Sequence, residues 1–223
     1  MNYGDALRLT TPDEWRLLSD EQKTSVLQCV ENRMARESGR KPCPVEAKWL
    51  MTGEDGIELG YYSPSEERIC VNVSQFAPDS MYGGTSDKLV ETVLHEGRHA
   101  YQHQVADGLV AHNDQPEAEA WAENFKDGNY ISFEENPRGY WNQPVEVDAR
   151  QFASERLAQL KSEREVLSPE EHRGQNRIES EHARPGSLEP RFIFERQVAC
   201  RQPQAHQHEE AIAQGRSHAM SIL

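Results

Sequence analysis

At 223 residues, with 36% hydrophobic side chains and a mean hydropathy of −0.86, the chain is expected to form one domain with an appendage, or at most two small domains, with much of it solvated. A formal charge of −14, with no Lys/Arg cluster carrying interleaved aromatics, argues against nucleic acid as a partner. No apolar run has the length of a membrane span, and MNYGDALRLT has neither the basic start nor the apolar stretch of a secretory signal. The expectation is a cytoplasmic protein, or one exported without a standard signal. Cys29, Cys43, Cys70 and Cys200 are scattered with no C-x-x-C pair, which disfavours both a disulfide framework and a thiolate metal site and reads as reduced, mostly buried thiols.

Along the chain, TPDEWRLLSDEQKTSVLQCVENRMARES (11–38) predicts a helical region. Thr11 and Pro12 read as a cap and first helical position. A second start at Ser19 leads into Val26, Leu27, Val30 and Met34, spaced for one buried face, and the segment ends at Gly39. Short strands are expected next: VEAKWLM (45–51), IELGYY (57–62) and ERICVNVSQF, where Ile69, Val71 and Val73 alternate. SPSEE (63–67) suits a hairpin loop between the last two, and PDSMYGGTS (78–86) reads as a loop.

A helix from about Ser86 to Val105 carries the most informative stretch, VLHEGRHAYQ. At 100° per residue, Leu89, Val90, Val93, Leu94, Gly97, Ala100 and Tyr101 share a broad apolar side, whereas Glu91, Arg98 and Gln102 fall on a polar arc. His95 and His99 occupy the border between them, with Glu96 at its edge. Two imidazoles at i and i+4 can donate two nitrogens to one Zn²⁺, with Gly97 expected to give room on the metal side. The glutamate after the first histidine is badly placed as a ligand and well placed as the general base that takes a proton from metal-bound water. His103, one turn further, is too far along the axis to ligate and is expected to line a cleft or the surface.

A catalytic zinc usually has three protein ligands and an open position, so a third donor is needed downstream. EAEAWAENF offers Glu119, with Glu123 one turn on; YWNQPVEVDARQFASERL offers Glu146 at the head of a helix whose stripe continues through Ala149, Ala153 and Leu157. Glu146 is preferred. A carboxylate at the head of a buried stripe needs a partner, and a packed helix holds a ligand rigidly, whereas the shorter acidic segment around Glu119 suits a solvated face.

With these residues in view, positions 40–160 resemble a zincin metallopeptidase domain of the glutamate third-ligand type. The resemblance implies an α+β fold, with a small mixed sheet on an active-site helix and a C-terminal helix bearing the third ligand. It also implies His95, His99 and Glu146 as zinc ligands, Glu96 as base, a protein or peptide substrate, and a sheet whose edge could pair with an extended peptide. The metzincin extension is absent from HEGRHAYQHQV. NQPVEVDARQFA is similar to the third-ligand helix of small bacterial and phage-borne zincin domains, several of them toxin or effector modules. It departs from the commonest pattern because Arg150, not an acid, stands four residues after Glu146. Asp148 is left to orient a ligand histidine or to pair with Arg98 or Arg150, and Tyr140 is either an oxyanion donor or a packed core residue.

The expected organisation is a helical region over 1–39, the zincin-like domain over 40–165 and a polar extension over 166–223. The extension holds five of the nine histidines; His206 and His208 read as solvated tail residues. A non-catalytic binding module on the same fold is the alternative function.

Overall fold

The computed structural model describes residues 1–50, 52–53, 56–77, 80 and 85–167. They form a mixed α+β arrangement of seven helices and two small sheets. The N-terminal part holds α1 (Tyr3–Leu9), α2 (Pro12–Trp15) and α3 (Asp20–Glu37). Ser19 caps α3 through a reciprocal box: its hydroxyl accepts from Gln22 N at 3.3 Å, and the Gln22 side chain accepts from Ser19 N at 2.8 Å. The anticipated stripe of Val26, Leu27, Val30 and Met34 is buried. Gly39, at φ +67°, takes the left-handed conformation that lets the chain leave the helix, which residues with a Cβ rarely adopt. The helix α1 falls within the helical region expected over 1–39, although no helix start was read before Thr11; Asn2 caps it, and Ala6 and Leu7 are buried in the common core.

The principal sheet has the order β1-β5-β4, from β1 (Val45–Lys48), β4 (Gly60–Ser63) and β5 (Arg68–Asn72). β4 and β5 form the expected hairpin, pairing Tyr62 with Ile69, and β1 runs parallel to β5 with Val45 opposite Ile69. β2 (Thr52–Gly53) and β3 (Gly56–Ile57) make a separate antiparallel pair, so the expected strand over 57–62 is divided. The expected run through Val73 also stops early. Asn72 turns the chain by accepting from Ser74 N at 3.0 Å, and Val73–Phe76 form a 3-10 turn. Because β5 is central, Ile69, Cys70, Val71 and Asn72 are all buried, and the sheet's margins are β1 and β4.

Helix α4 (Ser86–Ala106) runs through the middle of the molecule against α3, β4, β5, α5 (Gln115–Asn124) and α7 (Pro144–Leu167). β4 crosses it closely: a Cβ built on Gly60 would lie 2.7 Å from Thr92 Cγ2 and 2.6 Å from the Cys70 carbonyl oxygen. The short α6 (Pro137–Asn142) leads into α7, whose first turn carries Glu146. One apolar cluster joins Leu7, Trp15 and Val30 from the N-terminal helices to Ile69, Val93, Leu94 and Leu160 from the rest, so residues 1–39 share the core of the domain that follows. Among the described residues no helix is long and apolar enough to cross a membrane. The extension from 168 onward, with His206 and His208, lies outside the described residues.

Candidate metal centre

α4 and α7 bring His95, His99 and Glu146 together. One donor atom from each lies within 4.8 Å of the others, the one such group of three among the described residues. The two Nε2 atoms stand 3.0 Å apart, and each is 3.4 Å from an oxygen of Glu146, His95 from Oε2 and His99 from Oε1. Two ligands held about 2.0–2.1 Å from a common ion at tetrahedral angles would stand about 3.3 Å apart, so these separations suit a shared metal ion. All three side chains are at most 1% exposed. Glu119 is exposed on α5 and outside the group, which settles where the carboxylate near the histidines comes from.

The orientation of His99 is set by a chain of hydrogen bonds. Gln102 donates through Nε2 to the Val145 carbonyl at 2.9 Å and to Asp148 at 2.6 Å, so its Oε1 faces His99 Nδ1 at 2.8 Å as an acceptor. His99 therefore carries its proton on Nδ1 and presents Nε2 to the group, the arrangement by which outer partners aim a metal ligand. Asp148 is anchored in turn by a two-pronged pair with Arg98 at 2.7 and 2.9 Å. Of the alternatives open for Asp148, pairing with Arg98 is the one present, and its bond to Gln102 gives it an indirect hold on His99. Gln102 and Arg98 are thus packed against α7 and not solvated: Gln102 is buried, and Arg98 lies under the Tyr101, Trp121 and Phe152 rings.

Glu96 is also buried. Its Oε2 accepts from the Tyr62 amide of β4 at 2.8 Å, whereas Oε1 has no hydrogen-bond partner. Burial pushes its carboxyl up to about 8. Burial also holds the His95 imidazole well below its ordinary value, although Glu146 opposes the shift. For His99 burial acts the same way, yet the adjacent Glu146 carboxylate outweighs it and raises the imidazole; Glu146 itself, despite burial, is held below the usual carboxylate range by the histidines. A divalent cation supplies the positive charge this set draws from a proton, which fits the donors present.

Gly97, Tyr140 and His103 stand apart from the three donors. Gly97 does not open space beside the histidines: two positions from each, it faces about 200° away around the helix. A Cβ there would lie 2.8 Å from Arg40 Nη2 and 2.9 Å from Glu31 Oε2. Tyr140 is buried on α6, edge-on to Tyr130 and Phe133. Tyr130 reaches the ligand: its hydroxyl donates to Glu146 Oε1 at 3.0 Å. His103 stacks on Phe125 with centroids 3.8 Å apart, and burial holds its imidazole down to about 3. The margin strand β4 commits its Tyr62 amide to Glu96, so that group is taken from any pairing with an extended peptide. Sequence reasoning missed Gln102 and Tyr130. Gln102 was within reach, because a ligand histidine needs an outer acceptor and i+3 on the same helix face supplies one; the loop carrying Tyr130 has no periodicity to reveal it.

No family model, characterised protein or solved structure matches the chain.

Proposed function

We propose that the chain is a zinc-dependent metallopeptidase of zincin-like fold that hydrolyses peptide bonds in a protein or peptide substrate. The observation that carries this reading is the meeting of His95, His99 and Glu146 from two helices, with a second buried carboxylate, Glu96, directly after the first histidine. Two imidazole nitrogens and a carboxylate oxygen form a donor set that zinc favours and that leaves a position open. A zinc ion bound there would polarise the scissile carbonyl and lower the pKa of its water.

The chain's own residues do the rest. Tyr62 N–H fixes one oxygen of Glu96, leaving Oε1 to accept the water's proton. A cation beside it favours the ionised form needed for that task, against the effect of burial. As the water oxygen bonds to the carbonyl carbon and the C–N bond breaks, Glu96 passes the proton to the departing amine. Gln102 and Asp148 hold His99 in one tautomer throughout. The likeness of the α7 motif to toxin- and effector-associated domains extends the proposal to a peptidase acting as an effector or toxin.

Purified full-length protein is expected to contain one zinc per chain, most of it lost in His95→Ala and His99→Ala. Glu96→Gln should retain zinc while cleavage falls by roughly 10²–10⁴-fold. Equal zinc in all four proteins defeats the assignment. A metal-bound binding module without turnover draws its support from the near-complete burial of the ligands; zinc-loaded wild type that cleaves nothing in a proteome-derived peptide library would favour it.

A further inference from the structure

Arg150 occupies the position where the glutamate third-ligand pattern leads one to expect an acid, and Gln102 with Asp148 already aims the histidine. Its surroundings point to another task. The guanidinium lies over the Trp141 ring, 4.0 Å from the ring centre to Cζ, and donates through Nη2 to the Trp141 carbonyl. Its other terminal nitrogen, Nη1, is buried, has no hydrogen-bond partner and lies 3.8 Å from Glu146 Oε2, itself without one. Burial lowers its pKa from the usual guanidinium value, yet an arginine keeps its proton at any working pH. A buried guanidinium nitrogen left with a carboxylate 3.8 Å away and no hydrogen bond is incompletely satisfied, and such groups are retained where something else completes them.

Resting on the peptidase reading above, we infer that Arg150 binds the carbonyl oxygen of the scissile peptide bond and stabilises the negative charge it acquires. Nη1 lies 3.8 Å from Glu146 Oε2, so a substrate oxygen held beside an ion on Glu146 would come within reach of the guanidinium. A chain-terminal carboxylate fits less well, since it stands at least one residue, about 3.3–3.6 Å, beyond the carbonyl under attack. During attack the carbonyl π pair moves onto that oxygen while the water proton goes to Glu96; Arg150 keeps all its protons and supplies a fixed charge. Its side chain is 22% exposed and Trp141 43%, whereas the three donor side chains are at most 1% exposed, so among these residues this pair is the part that solvent reaches.

The test uses full-length protein loaded with Co²⁺, whose visible spectrum reports the ligands, and inorganic phosphate as a tetrahedral oxyanion. Wild type should bind phosphate with a spectral change. Arg150→Gln should take up Co²⁺ with an unchanged resting spectrum but bind phosphate roughly tenfold to a hundredfold more weakly, the range for one lost charged hydrogen bond. Arg150→Lys should recover part of that loss. On a cleavable peptide, Arg150→Gln should lower kcat with KM little changed. Phosphate binding that is absent from wild type or indifferent to Arg150 overturns the inference and leaves the peptidase reading standing. Loss of Co²⁺ from Arg150→Gln also overturns it, making Arg150 a support for Glu146. Wild type that takes up no metal ion defeats the peptidase reading and this assignment together.

Discussion

Helix α4 has a buried charged cluster on each of two sides, and they are built on opposite terms. Toward α3, Glu31 and Arg40 form a two-pronged pair with both contacts at 2.6 Å, the Cys43 amide adds a third bond to Glu31 at 2.8 Å, and Arg40 also donates to the Lys41 carbonyl at 3.1 Å. Both carboxylate oxygens of Glu31 are satisfied. Toward α7, His95 Nδ1, Glu96 Oε1, Glu146 Oε2 and Arg150 Nη1 are buried with no hydrogen-bond partner. The second cluster is the one that could hold a metal ion, and its unfilled hydrogen-bonding capacity accords with that. Burial and charge alone would not separate them, because both are almost inaccessible; satisfaction does.

Breaking the complete cluster should cost the fold most. Arg40→Ala strands the Glu31 carboxylate in the interior, and a loss of about 3–5 kcal/mol is expected from denaturant unfolding followed by circular dichroism. In metal-free protein the corresponding change on the other side, His95→Ala, should cost less than half as much, since it removes a group that is not fully paired. Similar losses would erase the distinction.

Gly97 sharpens the comparison because it lies inside the histidine motif yet serves the opposite side. Gly97→Ala must push apart an ion pair locked by its own hydrogen bonds, for an expected cost of about 1–3 kcal/mol. Metal content of the folded protein should stay at the wild-type level. If the fold is unharmed and metal is lost, Gly97 belongs to the donor side after all.

A third measurement addresses the incomplete cluster directly. By competition with a chelator, Glu146→Gln should weaken zinc binding at least about tenfold, while Glu119→Gln, on an exposed helix face, should leave it unchanged. The reverse result would return the ligand role to Glu119 and leave Glu146 a structural carboxylate.

What the sequence revealed of this arrangement follows from what is local. Ser19 announces α3, the 3.6-residue spacing announces α4, and His95, Glu96 and His99 are within about one turn of each other. Glu146 was found because a carboxylate interrupts an apolar stripe. Pairing across the chain was not legible. Nothing in VEAK states that it runs parallel to β5, and α1 is only seven residues long, so its burial depends on partners far along the chain, including the Tyr3 hydroxyl's bond to Glu163 at 3.1 Å. Gly97 was misread on other grounds: the helical wheel already turns it away from the histidines, and the fold adds that Arg40 and Glu31 stand where it points.

The last expected effect is confined to alkaline pH and concerns the thiol attached to the complete cluster. Cys43 is buried beside Glu31, and burial first, then that carboxylate, pushes its thiol up to about 12 from an ordinary value of 9.0. A group whose pKa is higher in the folded state contributes fully to stability below its unfolded value and loses that contribution as pH rises through the folded one. Stability should therefore show no Cys43-dependent change below pH 9 and should decline between pH 9 and about 12, with Cys43→Ala flattening that decline. Alkylation at pH 8 gives an independent reading, since a neutral, buried thiol should react only on unfolding. Native Cys43 that is alkylated as fast as the unfolded chain would show that the α3 side of α4 opens readily, and the contrast between a closed structural cluster and an unfinished donor cluster would no longer hold.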